Sequence, residues 1–114
     1  MEKIIIIGSG GLGREVRNLI EAINSENPSY EFLGYLVSDL KKIGPNDSKD
    51  QVIGNFSWFD KQSEPINVAI AIGDPNSRLN VVNNLMNDYS NLLFPSLIHP
   101  SVIYDKNFVT IEQG

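Results

Sequence analysis

The sequence predicts an α/β fold, a small open parallel sheet with helices on both faces, and three observations lead to it. Two β-branched runs without polar alternation, "KIIII" at residues 3–7 and "NVAIAI" at 67–72, read as strands buried on both faces, the habit of central strands in a parallel sheet. Each run is followed by a turn rich in glycine or capping residues, and then by apolar residues at helical spacing. The order strand, helix, strand, strand, helix, strand is the alternation that parallel units require.

The first strand, 3–7, runs through "GSGGLG" into a helix over 14–24, where Val16, Leu19, Ile20 and Ile23 fall at i, i+3, i+4 and i+7 and make one apolar stripe. "NSENPS" at 24–29 is turn chemistry that ends the helix. Residues 30–37, "YEFLGYLV", form the second strand, and 38–50 form a polar loop to which no secondary structure is given. Residues 51–54 are a brief third strand, after which "FSWFD" starts a short helix or turn that lays Trp58 and Phe59 on a sheet face. The fourth strand, 67–72, leads into "GDPNSR", in which Asp74 can cap a helix and Pro75 can take its first position, where a missing N–H costs nothing. Leu79, Val82, Leu85, Met86 and Tyr89 then recur at helical spacing up to Ser90. Residues 92–98, "LLFPSLI", close the sheet, with Pro95 marking an edge strand or a bulge. Residues 101–114 have β propensity but do not fit this scheme; either they are an arm over the domain or the chain stops inside something larger.

Composition removes several function classes. The chain of 114 residues, 41% apolar, has the size and core of a single domain. Nine Lys plus Arg stand against fourteen Asp plus Glu, a net charge of -5, with no basic block to track a phosphate backbone or an anionic bilayer. Neither nucleic acid nor a membrane is expected as a partner. Without cysteine there is no disulfide, thiolate metal site or cysteine nucleophile, and with one histidine a zinc site would need carboxylates for nearly everything else. The longest apolar run falls far short of the roughly 20 residues that span a bilayer, and no signal peptide is recognisable. A cytoplasmic location is the simplest expectation.

Gly8, Gly10 and Gly13 match G-x-G-x-x-G directly after a strand and before a helix. In that setting each glycine has a mechanical reason: a tight turn, close approach of backbone to a phosphate, and close packing of helix on strand. The first helical turn leaves N–H groups over and carries the positive end of the helix dipole, so a pyrophosphate is stabilised there. The alternative is a tight turn that needs its glycines and binds nothing. No Gly-Lys-Ser or Gly-Lys-Thr follows, which excludes a Walker-type loop. In open parallel sheets the ligand crevice lies at the carboxyl ends of the strands where their order reverses. That rule brings Ser9, Gly10, Gly11, Leu12 and Gly13, then Val37, Ser38 and Asp39, then the stretch from Gly73 to Arg78 with Asp74, Asn76 and Ser77 to one rim.

Dinucleotide sites place an acidic residue about 20 positions beyond the loop, on the ribose hydroxyls. Asp39 comes 26 positions after Gly13, so it is either a ribose contact or a solvated loop carboxylate. Arg78 can reach a phosphate or pair with Asp74 at i, i+4. His99, before Pro100, reads as structural rather than catalytic. No nucleophile, metal cluster or acid–base pair is recognisable, so the residues describe a binder of a phosphorylated ligand that does no chemistry of its own.

The opening "KIIIIGSGGLGREVRNLI", the "FLGYL" strand, "VIG", "VAIAIGD" with "PNSR", and "FPSLIHPS" resemble, in order and spacing, the N-terminal domain of bacterial sugar O- and N-acyltransferases, the sialic acid O-acetyltransferase and bacillosamine N-acetyltransferase type. The resemblance covers about residues 3–101. It implies a small Rossmann-like domain over 1–100 that binds a nucleotide-sugar, often a UDP-linked amino sugar, through the rim residues named above. It further implies a homotrimeric parent enzyme whose left-handed β-helix of hexapeptide repeats binds acetyl-CoA and carries a catalytic histidine as general base. Where the family's loop usually reads Gly-His-Gly, this chain has Gly11, Leu12 and Gly13. Residues 101–114 are expected to be a linker or the start of a β-helix that the chain does not continue, so no cofactor site and no catalytic residue are expected in it. His99 matches the family's interdomain "IHP". The competing expectation, from another class, is an NAD- or CoA-binding sensor or oxidoreductase module.

Overall fold

A computed structural model describes residues 1–42 and 51–97. Five strands, β1 (Glu2–Ile7), β2 (Tyr30–Leu36), β3 (Val52–Gly54), β4 (Ile66–Ile70) and β5 (Leu92–Leu93), form one sheet in the order β3-β2-β1-β4-β5. All four neighbouring pairs are parallel. Two α-helices, α1 (Gly11–Glu26) and α2 (Pro75–Asp88), make the crossovers β1 to β2 and β4 to β5.

The run of isoleucines explains why β1 is central. Alternate side chains of a strand face opposite sides, and Ile4, Ile5, Ile6 and Ile7 are all at most 1% exposed, so both faces must be covered. Ile4 and Ile6 join Ile20, Tyr35, Ala69 and Ala71 under α1. Ile5 and Ile7 join Leu36, Phe59, Val68 and Leu85 under α2 and the 3₁₀ segment Phe56–Lys61. Each such side chain contributes roughly 1.5–3 kcal/mol by leaving water. Phe59 is buried and Trp58 packs beside it, as "FSWFD" predicts.

Several boundaries differ from the sequence expectation, each for a local reason. Helix α1 begins at Gly11 rather than Arg14, because the amide of Arg14 already donates to the carbonyl of Gly10 and residues 11–13 are its first turn. Its far end is set by Asn24, whose side-chain oxygen accepts from the amides of Ser29 and Tyr30. Strand β2 carries an irregularity between Phe32 and Gly34, seen in the register step from Ile4↔Phe32 to Ile5↔Gly34. The step puts Phe32 and Tyr35 on the α1 side and Leu33 and Leu36 on the other. The expected structureless loop after β2 opens with a 3₁₀ turn, Leu40–Lys42.

The stripe predicted for α2 is only half correct. Leu85 is buried and Val82 and Tyr89 pack on the core, but Leu79 and Met86 are 58% and 60% exposed, and Val81 takes an inward place instead. Strand β5 is two residues long rather than the seven of 92–98, since Pro95 has no N–H to continue a ladder. The chain nevertheless continues inward at Phe94, which is 5% exposed. Ile98, His99 and the expected linker or β-helix start over 101–114 lie outside the described residues.

Candidate functional site

Strand order reverses at β1: the chain first builds outward through β2 and β3, then returns to β1's other side with β4 and β5. The amide of Gly8 donates to Leu36 at 2.9 Å, and that of Ala71 to Ile7 at 2.8 Å, so the carboxyl ends of β1, β2 and β4 are tied together. A cleft of about 500 Å³ opens over them. Its β1 side is Ile7, Gly8, Ser9 and Gly10, with Val37 and Ser38 from beyond β2. Ile72 from beyond β4, Ser77 and Val81 from α2, and Phe56 complete it. The lining is therefore largely apolar, with three serine side chains, of which the Ser77 hydroxyl already donates to Asp74, and the glycine-loop backbone as its polar groups.

The glycine pattern divides into two kinds of requirement. Gly8 has φ +103, and a Cβ there would lie 2.6 Å from the carbonyl oxygen of Ala71. At Gly13 a Cβ would overlap the carbonyl oxygen of Gly8 and stand 3.3 Å from Tyr35 Cε1. Those two glycines are explained by the turn and by helix-on-strand packing alone. Gly10 is different. It is the N-cap of α1, with ordinary φ -80 and ψ -156 that any residue adopts, and it lines the cleft.

No side chain caps α1. The N-terminus of α2 is closed: Asp74 accepts from the amide of Ser77 at 3.0 Å and from its hydroxyl at 2.7 Å. These hydrogen bonds, led by the hydroxyl's, hold the Asp74 carboxyl below the usual aspartate range. The two helices thus begin near one rim with opposite electrostatics, one N-terminus offered to the cleft and the other neutralised by the chain itself.

Of the residues expected at the rim, Ser9, Gly10, Val37, Ser38 and Ser77 line the cleft, and Ser9 is 4% exposed. Gly11, Leu12 and Gly13 form the first turn of α1, with Leu12 40% exposed and directed away from the core. Asp39 does not line the cleft; its carboxylate accepts from the amide of Lys41 at 2.9 Å, a local turn contact. Gly73 precedes α2 in open space, while Asp74, Asn76 and Arg78 sit exposed in its first turn without lining the cleft. Sequence reasoning missed Phe56 and Val81, which only the fold brings to the site. Among the described residues no group of three His, Asp or Glu side chains could hold a metal ion, and no helix is long and apolar enough to cross a membrane.

A five-stranded parallel sheet with a glycine loop and a cleft at its switch point is a Rossmann-like α/β domain. The sequence matches the PglD N-terminal domain over residues 3–85, and the chain belongs to that family. Among solved structures it is similar to the acetyltransferase domain of PglB from Neisseria gonorrhoeae FA1090, with 24% identity and a TM-score of 0.61, covering 88% of this chain and 45% of that one. The same domain in complex with acetyl coenzyme A aligns at 25% identity and a TM-score of 0.62, over 87% of this chain and 44% of that one. The chain thus spans less than half the length of these structures. No curated protein sequence matches it significantly.

Proposed function

We propose that this chain is the nucleotide-sugar-binding domain of an acetyl-CoA-dependent sugar O- or N-acetyltransferase of glycan or polysaccharide biosynthesis. The observation that carries the proposal is the uncapped start of α1 at Gly10, opening on a cleft whose β1 side is Gly8, Ser9 and Gly10. Backbone N–H groups and the helix dipole would take the pyrophosphate there. Gly10 fits that role because its backbone conformation does not itself demand glycine. The apolar lining from Val37, Phe56 and Ile72 suits the flat face of a base, and the hydroxyls of Ser9 and Ser38 suit ribose or sugar oxygens.

Family membership supports the acetyltransferase setting, as does the likeness to an acetyltransferase domain that binds acetyl coenzyme A. In this proposal acetyl-CoA and the general base belong to regions of a trimeric cytoplasmic enzyme other than this domain, and the domain alone transfers nothing. The local engagement of Asp39 counts against a dinucleotide site, which would use that carboxylate on a ribose.

A thermal-shift panel of UDP-, CMP-, GDP- and dTDP-sugars beside NAD and acetyl-CoA tests the proposal on the 114-residue chain. At about 100 times Kd one nucleotide-sugar class stabilises by about 2.7 kcal/mol, which is on the order of 10 °C for a domain of this size. Stabilisation by NAD and by none of the sugars would replace this assignment with an oxidoreductase or sensor module.

A further inference from the structure

A second cavity, of about 310 Å³, lies on the α1 side of the sheet. It is walled by Arg14, Arg17, Asn18 and Glu21 of α1, Tyr35 of β2, and Gln51, and it shares no lining residue with the cleft. Tyr35 is fully buried, its ring edge-on to Phe32 with centroids 5.1 Å apart. Its hydroxyl is buried without a hydrogen-bond partner, the sole such side-chain atom among the described residues. A phenylalanine would fill the same space without the penalty of an unpaired hydroxyl, so the oxygen calls for an explanation other than packing.

The surroundings supply one. The Nε of Arg17 pairs with Glu21 at 3.2 Å, and its Cζ lies 4.7 Å over the ring of Phe32, which fixes the guanidinium from two sides. Glu21 is thereby engaged, and the guanidinium carries four N–H donors besides the one on Nε. Arg14, Asn18 and Glu21, the walls nearest solvent, are exposed on the helix, so an entering group displaces side chains rather than backbone.

We propose that this pocket binds a small oxyanion, the carboxylate or phosphate group of a small molecule, with the Tyr35 hydroxyl donating to one oxygen and the terminal N–H groups of Arg17 to another. The site is separate from the cleft and does not depend on what the cleft binds.

The test is an amide-resolved NMR titration of the 114-residue chain with sodium phosphate and, separately, sodium acetate, at ionic strength held constant with chloride. Saturable shifts at Arg17, Asn18 and Gln51 are expected with at least one anion, and the two arms distinguish phosphate from carboxylate. Tyr35→Phe should weaken that binding about tenfold, the effect of one charge-assisted hydrogen bond, and Arg17→Gln should weaken it at least as much without touching the core. Gly10→Asp, which alters the cleft, should leave it unchanged. Absence of saturation with both anions would overturn the proposal, as would shifts confined to residues 8–10 and 77. Unaltered affinity in Tyr35→Phe would also overturn it, or in Arg17→Gln should the former not fold; the pocket would then hold no more than water.

Discussion

Helices α1 and α2 begin near the same rim of the sheet and are finished in opposite ways. At α2 the chain supplies its own anion: behind Pro75, Asp74 accepts two hydrogen bonds from Ser77, so the Ser77 amide of the first turn is satisfied locally. At α1 the N-cap is Gly10, with no side chain to offer, beside a cleft of about 500 Å³. Every helix start leaves about four N–H groups without intrahelical partners. A capped start uses one of them for stability, whereas an uncapped one beside a cleft leaves them open to a ligand. The difference is worth testing by altering each end in turn.

The largest effect should come from the loop's structural glycines. Gly13→Val pushes a side chain into the carbonyl of Gly8 and is expected to cost about 3 kcal/mol, read as a lower urea midpoint at constant m. A variant with wild-type stability would mean that α1 can lift off β1. Next, Gly10→Asp copies the cap of α2 onto α1. Stability should stay level or rise by a few tenths of a kcal/mol, while nucleotide-sugar affinity falls by on the order of 100-fold, measured by calorimetry. If affinity survives that carboxylate, the start of α1 is not the phosphate site.

The reciprocal change, Asp74→Ala, should lower the melting temperature by on the order of a few degrees and leave ligand affinity within about twofold. Its pH signature has a definite sign. Because the folded Asp74 carboxyl lies below its ordinary value, its stabilisation is present above the unfolded value of about 3.9 and is lost as pH falls through the folded one. The difference between wild type and Asp74→Ala should therefore shrink on acidification. The smallest effect concerns the far end of α2, where Tyr89 donates to Asp60 and its hydroxyl is pushed up to about 12. That stabilisation is complete below the unfolded value of about 10 and disappears as pH rises through about 12, so Tyr89→Phe should flatten the alkaline limb of a stability profile.

The difference between the two helix starts was legible in the sequence on both sides, for different reasons. "DPNS" names its own cap, since Asp, Pro and Ser occupy fixed places in a first turn. "GSGGLG" is legible as a turn whose three glycines have different reasons, and the structure shows the backbone contacts that fix Gly8 and Gly13, while Gly10 has an ordinary backbone conformation. The buried strands were legible because β-branched runs without polar alternation have no exposed face. Helix phase in α2 was not, because Leu79, Val81, Val82, Leu85 and Met86 offer two overlapping stripes and only contact with β4 and the 3₁₀ segment selects between them. Phe56 was invisible as a site residue because its place depends on strand order, which no local pattern encodes. The buried hydroxyl of Tyr35 depends in turn on the register step at Gly34, which sets that tyrosine's face of the sheet.

The assignment of the cleft is tested most directly by amide shift mapping of the chain with the nucleotide-sugar that stabilises it best. Shifts centred on Gly8, Ser9, Gly10, Ser38 and Ser77, saturating together and abolished in Gly10→Asp, are the predicted result. Shifts that avoid the glycine loop, or that persist in Gly10→Asp, would contradict it and leave the open start of α1 as a structural turn.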